Sequence, residues 1–195
     1  MTASEELSAA PRRKRADAVR NTGAVLEAAK AVFAESGVDA PMREIAARAG
    51  VGVGTIYRNH PQRSDLIIAV FRRELDATAA EAERLIGEYP PAEALRRWAE
   101  ALGRFVATKR GFSSALHSGD PAYQPLPGQF LGVLAPRVQR ILDAGAADGT
   151  IRADVRAEDL INALARLADS SGDGTSGQMT GVLLDGLLVR SAVEE

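Results

Sequence analysis

The chain of 195 residues contains no cysteine and only two histidines, His60 and His117. The absence of cysteine excludes disulfide bonds, thiolate zinc sites, iron–sulfur clusters and cysteine nucleophiles. The sequence also has no phosphate-binding loop of the Gly-Lys-Ser/Thr type and no spacing typical of metal ligands. We therefore predict that the protein is not an enzyme and that it binds no metal and no cofactor.

Long apolar runs are also missing. No run of about 18 apolar residues could cross a bilayer, and the N-terminal residues lack the apolar core of a secretory signal. We expect a cytoplasmic protein that does not engage a membrane. Aromatic residues are few, with one Trp, three Tyr and five Phe. This scarcity favours a modest ligand pocket over a large multi-aromatic one.

Charge is unevenly distributed along the chain. The formal net charge is −2. Residues 11–63 carry ten Lys/Arg against five Asp/Glu, whereas residues 64–195 carry fourteen against nineteen. A basic N-terminal third joined to an acidic remainder is expected when only the first segment meets a polyanion such as nucleic acid.

Apolar residues recur at intervals of three and four nearly everywhere, which predicts an all-α protein of about nine helices. Residues 1–15 form a basic segment that we expect to be a disordered arm, and residues 16–61 a three-helix DNA-binding domain. A connecting helix at 62–87 then leads to a helical domain at 88–195, interrupted by a proline-rich loop at 118–128 and a flexible linker near 170–177. The predicted helices span residues 16–36, 41–49, 52–59, 62–87, 91–108, 112–116, 129–147, 156–170 and 178–191.

A helix-turn-helix pattern lies within residues 42–59. This pattern requires apolar residues that face the neighbouring helices, a small residue for close approach, and a glycine where the chain leaves the first helix with positive φ. The sequence meets these demands at Ile45, Ala46, Gly50, Val51 and Ile56.

Such a corner leaves the second helix of the pattern able to enter a major groove about 12 Å wide. Its outer face carries side chains that donate hydrogen bonds to phosphate oxygens, and an arginine adds positive charge beside them. The candidate phosphate contacts are Thr55, Tyr57, Arg58, Asn59 and Arg63.

Residues 43–66 read R-E-I-A-A-R-A-G-V-G-V-G-T-I-Y-R-N-H-P-Q-R-S-D-L. This stretch resembles the DNA-binding signature of TetR/AcrR-type transcriptional repressors, and the resemblance extends over about residues 17–72. It implies a homodimer of all-helical subunits, each with an N-terminal helix-turn-helix domain and a C-terminal effector-binding and dimerisation domain. It further implies a repressor that binds a palindromic DNA operator and is released by a small molecule of unknown identity.

The same resemblance assigns Arg43 to a base or backbone contact, and Gly52 and Val53 to the groove-facing start of the recognition helix. It also assigns phosphate contacts to Thr55, Tyr57, Asn59 and Arg63. Family members often carry Ser or a charged residue and Lys where this chain has Gly52 and Val53, so side-chain hydrogen bonds to bases are sparse. Val53 can meet a thymine methyl instead. His60 stands where an apolar residue normally packs, and we interpret it as a packing substitute rather than a pH switch.

The C-terminal region resembles one branch of that family in Trp98, Phe105 and the segments 107–111, 149–154 and 158–160. Its two last helices, 156–170 and 178–191, have wide apolar stripes, and the resemblance implies that they form the dimer interface. Candidate effector contacts are Trp98, Phe105, Phe112, His117 and Tyr123. An alternative reading stays open, in which the chain is a helical interaction module that keeps the helix-turn-helix only for packing and binds no specific DNA.

Overall fold

The computed structural model describes residues 3–169 and 175–189, with side chains described in 20–169 and 177–189. Within these residues the fold is all-α, as predicted, and β-pairing is limited to an isolated bridge between Ile151 and Leu188. A short 3-10 helix spans Pro121–Tyr123. The described residues form nine α-helices: α1 Ala3–Ser36, α2 Met42–Ala49, α3 Val53–Asn59, α4 Arg63–Glu88, α5 Pro91–Arg110, α6 Ser113–Leu116, α7 Leu126–Ala147, α8 Ala157–Asp169 and α9 Thr175–Asp185.

The terminal helices differ from their predicted bounds. Helix α1 begins at Ala3 rather than near residue 16, so it overlaps the disordered arm that was predicted at residues 1–15. The disorder of that arm stays a prediction. Helix α9 begins before residue 178 and ends at Asp185 rather than near 191. Beyond its end the chain pairs with a neighbouring loop: the Arg152 N–H donates to the Leu187 carbonyl over 2.9 Å, and the Val189 N–H donates to the Thr150 carbonyl over 3.0 Å. Residues 170–174 of the predicted linker lie outside the described residues.

Helices α1, α2 and α3 surround a small core that α4 closes. The core side chains are apolar residues at helical spacing, and Phe33, Ile45, Ile56 and Leu66 are fully excluded from solvent. Two polar contacts fasten α4 across α1: Lys30 pairs with Glu74 over 2.6 Å, and Arg73 donates to the Gly23 carbonyl over 2.8 Å. Because each buried large apolar side chain contributes about 1.5–3 kcal/mol, the apolar core rather than these half-exposed contacts dominates the stability of this unit.

The second half of α4 packs in a bundle with α5, α7 and α8. Trp98 on α5 is completely buried there, and its indole N–H donates to the Thr78 carbonyl of α4 over 3.3 Å. Burying an indole without a partner for its N–H would carry a desolvation cost, and this hydrogen bond removes it. In none of the described helices does an apolar stretch reach the length that a bilayer crossing requires.

The end of α5 touches α1 of the N-terminal unit. The rings of Phe33 and Phe112 meet edge to face, with centroids 5.8 Å apart. Gly111 makes this approach possible, because a Cβ at that position would lie 2.8 Å from the Phe33 carbonyl oxygen. The backbone of Gly111 is ordinary right-handed helix, so the requirement for glycine there is purely steric.

We expect Gly111→Ala to lower the free energy of unfolding by about 1–3 kcal/mol, because the new methyl group overpacks the contact with the α1 backbone. Gly103→Ala on the same helix is the matched control, since its Cβ would meet nothing within 4 Å. That control should be neutral or stabilising by about 0.5–1 kcal/mol. Urea denaturation of both variants measures the difference, and equal stability of the two would contradict the steric argument.

Candidate nucleic-acid interface and ligand cavity

A sharp corner joins α2 to α3. Gly50 adopts φ 67° and ψ 29°, in the left-handed region that glycine enters without a Cβ penalty. The Val51 N–H then donates to the Ala46 carbonyl over 3.0 Å and the Gly50 N–H to the Ala47 carbonyl over 3.2 Å. This pair of bonds is a Schellman motif, which ends α2 and sets the direction of the chain into α3. The predicted role of Gly50 is confirmed by its conformation.

Helix α3 buries one side chain and presents others outward. Ile56 is fully buried against the unit, whereas Val53 is 42% exposed and Tyr57 is 49% exposed. Val53 and Tyr57 are four residues apart and therefore lie on the same face of the helix. Two large side chains on the outer face of a short helix contribute little to its own core, so this face is available to a partner.

The polar residues of α3 are exposed or half-buried and hydrogen-bond within their own helix. Arg58 donates to the Thr55 hydroxyl over 3.0 Å, and the Asn59 amide donates to the Thr55 carbonyl over 3.0 Å. Arg43 on α2 and Gly52 before α3 are also exposed. The structure therefore brings the predicted contact residues of α2 and α3 to the surface of one compact unit, while their roles toward DNA stay predictions.

Arg63 makes a contact within the chain that the sequence did not predict, and its role toward phosphate stays a prediction. Its guanidinium is half-buried and donates to the Val38 carbonyl and, over 2.7 Å, to the Ala40 carbonyl. The side chain thus ties the first residue of α4 to the loop that precedes α2. The sequence did not predict this contact, because its acceptors are backbone carbonyls more than twenty residues away. A pattern of side chains does not indicate where such carbonyls lie.

The exposed side of the unit is braced by Arg48 and Glu35. Both terminal nitrogens of the guanidinium reach the carboxylate oxygens, each over 2.7 Å. This hydrogen bonding lowers the pKa of Glu35, with desolvation opposing the shift. A bidentate pair has more geometric specificity than a single contact, so it orients α2 against the end of α1.

His60 follows α3 and is half-buried. Burial lowers its pKa, and the nearby Asp65 carboxylate opposes that shift. Asp65 itself caps α4, accepting a hydrogen bond from the Gln62 N–H over 2.9 Å. The position of His60 between α3 and α4 is compatible with a packing role for its ring.

A cavity of about 430 Å³ lies between α4, α5, α7 and α8. Three of the predicted effector contacts, Phe105, His117 and Tyr123, line it. Trp98 and Phe112 are not among its lining residues, because both are fully buried in packing contacts elsewhere. Sequence reasoning missed Phe71, Phe130, Lys109, Asn162 and Arg166, which also line the cavity and which only the packing of distant helices brings together.

Tyr123 connects this cavity to the N-terminal unit. Burial raises its pKa, the Asp120 carboxylate adds to the rise, and the positive charge of Arg63 opposes it. The short 3-10 helix that ends at Tyr123 packs against α4, the helix whose first residue is Arg63.

Helices α8 and α9 form one edge of the bundle. Leu160, Ile161 and Leu164 of α8 are buried within the subunit. Residues of α9 point outward, with Met179 45% exposed and Val182 58% exposed. An uncovered apolar edge of this kind is typical of a surface that meets another protein. Across the described residues, no group of three or more His, Asp or Glu side chains could hold a metal ion.

Comparison with known proteins gives two family matches. Residues 25–70 match the family described as bacterial regulatory proteins, tetR family, and residues 90–189 match the C-terminal domain of SbtR-like transcriptional regulators. An HTH-type transcriptional regulator of Staphylococcus aureus (strain bovine RF122 / ET3-1), SAB2452, is 34% identical over 76 residues. That alignment covers 38% of this chain and 41% of the relative.

Solved structures match over most of the chain. The TetR transcriptional regulator SCO0520 from Streptomyces coelicolor is 35% identical with a TM-score of 0.75, covering 87% of this chain and 99% of that one. A TetR transcription regulatory protein from Mycobacterium vanbaalenii is also 35% identical with a TM-score of 0.71, covering 90% and 99% respectively.

The lowered pKa of His60 predicts a dependence of stability on pH. Below about pH 6.5 the unfolded chain takes up a proton at this ring, whereas the folded protein does so only at lower pH. The free energy of unfolding should therefore fall as the pH drops from about 6.5 toward the lower pKa that His60 has in the folded protein. The loss should be small, because solvent screens a half-exposed ring.

His60→Phe should remove this part of the pH dependence. Urea denaturation at pH 7.5 and at pH 5.5 of both proteins measures it. A wild type and a variant whose stabilities change in parallel between the two pH values would show that His60 does not contribute.

Proposed function

Because the chain belongs to the TetR family of bacterial transcriptional regulators, we propose that it is a repressor whose dimer binds a near-palindromic operator and leaves it when a small molecule enters the C-terminal cavity. Members of this family are DNA-binding transcription factors and not enzymes. The observation that carries the operator-binding part of the proposal is the outward face of α3, with Val53 and Tyr57 exposed after the corner at Gly50. The protein would act in the cytoplasm, where the bacterial chromosome lies.

In the proposed complex α3 is the recognition helix. Val53, at its first turn, would contact a thymine methyl in the major groove, and Gly52 would allow close approach of the backbone to the DNA. Hydrogen bonds to phosphate oxygens would come from Thr55, Tyr57, Arg58 and Asn59. Arg43 would reach the DNA from α2. Because few side chains here can hydrogen-bond bases, specificity would depend on apolar contact and on the shape of the DNA.

Dimerisation would occur through α8 and α9. A two-fold dimer sets two recognition helices at successive faces of the major groove, about 34–36 Å apart, and this matches a near-palindromic site. The exposed apolar residues Met179 and Val182 support this choice of interface. An exposed ion pair between Arg96 and Asp185, at 2.5 Å, also links α9 to α5 of the same subunit.

Effector binding would act as a population shift. A ligand that favours one arrangement of the bundle would move α4, which carries Phe71 in the cavity wall and Arg63 beneath the loop before α2. A coupling free energy of about 1–3 kcal/mol would weaken operator affinity about 5- to 150-fold. By reciprocity, the operator would weaken effector binding by the same factor.

The decisive experiment is footprinting of the purified protein on the intergenic DNA beside its gene, followed by gel shifts at two salt concentrations. We expect protection of a near-palindromic site and an affinity that falls as salt rises. Equal affinity for that site and for random DNA would refute specific operator binding. It would favour the alternative of a helical interaction module.

Tyr57→Phe should weaken binding about fivefold on every DNA sequence, because the variant loses one hydrogen bond to phosphate and keeps the ring. Val53→Ala should instead relax base preference at one position of each half-site. Tyr89→Phe is the matched control, since Tyr89 stacks against Arg97 in the C-terminal domain, with the guanidinium carbon 4.2 Å from the ring centroid. Gel shifts on the operator and on single-base variants measure both effects, and identical losses on all DNAs for both substitutions would contradict the division of roles.

Val182→Asp should convert the dimer to a monomer and thereby abolish high-affinity operator binding, because a carboxylate in an apolar interface carries a desolvation cost of several kcal/mol. Val53→Asp makes the same change on the DNA-facing helix. It should impair DNA binding yet leave the dimer intact. Analytical ultracentrifugation of both variants measures the assembly state, and a dimeric Val182→Asp protein would place the interface elsewhere.

A further inference from the structure

We propose that the cavity binds a compact, uncharged and mainly apolar molecule whose polar group, a carbonyl oxygen, accepts a hydrogen bond from the Tyr123 hydroxyl. This inference rests on the proposed function and adds the chemical class of its effector. It follows from which side chains of the cavity wall are buried and which are exposed.

Most of the cavity wall is apolar. Phe71 from α4, Phe105 from α5 and Phe130 from α7 form a continuous aromatic cluster, in which Phe71 and Phe105 are buried. The rings of Phe71 and Phe105 meet edge to face at a centroid distance of 5.4 Å, and those of Phe105 and Phe130 stack at 5.5 Å. Such a surface packs against an aromatic ring or an alkyl chain but offers no hydrogen bond. The remaining apolar lining residues are Val106, Leu116, Leu126, Pro127, Leu131 and Ala165.

The charged side chains of the cavity lie at its solvent-exposed edge. His117, Asn162, Arg166 and Asp169 are exposed, and Lys109 is half-buried. Lys109 and Asp169 carry opposite charges, and Arg166 already has an interaction within the chain. Among the described lining residues, none that is buried carries a charge. A ligand ion in the enclosed part would therefore lack a counter-ion there, and burying an ion in that way costs several kcal/mol.

Tyr123 supplies the polar group of the buried wall. The residue is 8% exposed, and among the buried lining residues that the structure describes it alone carries a side-chain hydrogen-bonding group. Its hydroxyl has no hydrogen-bond partner within the described part of the chain, yet the oxygen is not completely enclosed. Buried polar groups in proteins are normally hydrogen-bonded, so an accessible hydroxyl without a protein partner is suited to a ligand that supplies one.

The protonation state of Tyr123 sets the direction of that hydrogen bond. Burial raises the pKa of the phenol, and the Asp120 carboxylate adds to the rise. The hydroxyl therefore keeps its proton at neutral pH and can donate it. A carbonyl oxygen only accepts hydrogen bonds, so it matches this donor.

The aromatic wall and the size of the cavity restrict the ligand further. A cation over an aromatic ring gains about 0.5–2 kcal/mol, which is less than the cost of several kcal/mol for burying an ion without a counter-ion. The aromatic cluster therefore does not favour an ammonium ligand. The volume of about 430 Å³ is near the lower end of the range of about 300–1,000 Å³ typical of small-molecule sites, so the ligand is compact as well as uncharged.

The test compares probes of similar size and different charge on the full-length protein without DNA. The probes are the ketone 4-phenylbutan-2-one, the carboxylate 3-phenylpropionate, the ammonium form of 4-phenylbutan-2-amine, and 2-nonanone as an alkyl ketone. Isothermal titration calorimetry should show that at least one of the two ketones binds, and that it binds more tightly than either ion, by about tenfold or more. Failure of both ketones to bind, or an ion that binds as tightly as the better ketone, would overturn the proposal.

Tyr123→Phe should weaken ketone binding about fivefold, because the variant loses one hydrogen bond to the ligand and keeps the ring in the wall. Butylbenzene matches 4-phenylbutan-2-one in chain length but has no hydrogen-bonding group, so it should bind the variant and the wild type equally. Tyr89→Phe is the matched control, because it removes a hydroxyl outside the cavity. Thermal unfolding checks that both variants fold. An unchanged ketone affinity in Tyr123→Phe, or an equal loss for butylbenzene, would overturn the assignment of the donor.

Ligand binding and DNA release are measured separately, so the two proposals can fail independently. A ketone that binds the free protein but leaves operator affinity unchanged would refute the effector role and keep the ligand class. Operator release by 3-phenylpropionate, with no effect of either ketone, would keep the effector role and refute the ligand class.

Discussion

Helix α4 packs against both the helix-turn-helix unit and the bundle within one continuous core, and the rest of the structure depends on this constraint. Its first turns bury Leu66 and Ile67 against the helix-turn-helix unit, and its later turns bury Leu75 and Leu85 in the bundle. A helix that is packed along most of its length cannot rotate or shift at one end without disturbing the packing at the other, because close-packed interiors are bistable rather than continuously deformable. The two halves of the protein are therefore mechanically joined.

Two contacts reinforce this connection at different points. Arg63 binds the carbonyls of Val38 and Ala40 and so fixes the loop that leads into α2. Phe112, at the end of α5, rests edge to face on Phe33 of α1, with Gly111 allowing the backbones to approach. The position of the helix-turn-helix unit is thus set by the end of α5 as well as by α4.

The sequence predicted those features that local chemistry dictates. Gly50 was identifiable because a corner with positive φ demands glycine, and Ile45 and Ile56 because buried positions of short helices recur at fixed offsets. Long amphipathic helices were found by their period, with bounds that shift mainly at the chain ends. The termination of α9 at Asp185 was not predictable, because it depends on pairing with residues 150–152 from another part of the chain.

In the candidate sites, too, the features set by local sequence could be predicted and those set by tertiary packing could not. Exposure of Val53 and Tyr57 follows from the helical register once Ile56 is placed inward, so the outer face could be predicted. An aromatic residue at helical spacing is equally compatible with a core and with a cavity wall. Trp98 and Phe112 were therefore predicted alongside Phe105 as effector contacts, although only Phe105 lines the cavity. The contribution of Asn162 and Arg166 of α8 to the cavity could not be predicted, because these residues line a cavity only once α5 and α7 pack beside α8.

The geometry also gives a physical reason why a small ligand could influence a distant helix. Phe71 lies eight residues after Arg63 on α4, a rise of about 12 Å, so both move with the same rigid helix. Tyr123 also lines the cavity, on the short helix that packs against α4. In the proposed mechanism, a ligand that displaces either ring would shift α4 and so disturb the Arg63 hydrogen bonds to the loop before α2, whose strength depends steeply on geometry. A ligand that fills the cavity but leaves Phe71 and Tyr123 in place would not shift α4 and should not weaken DNA binding.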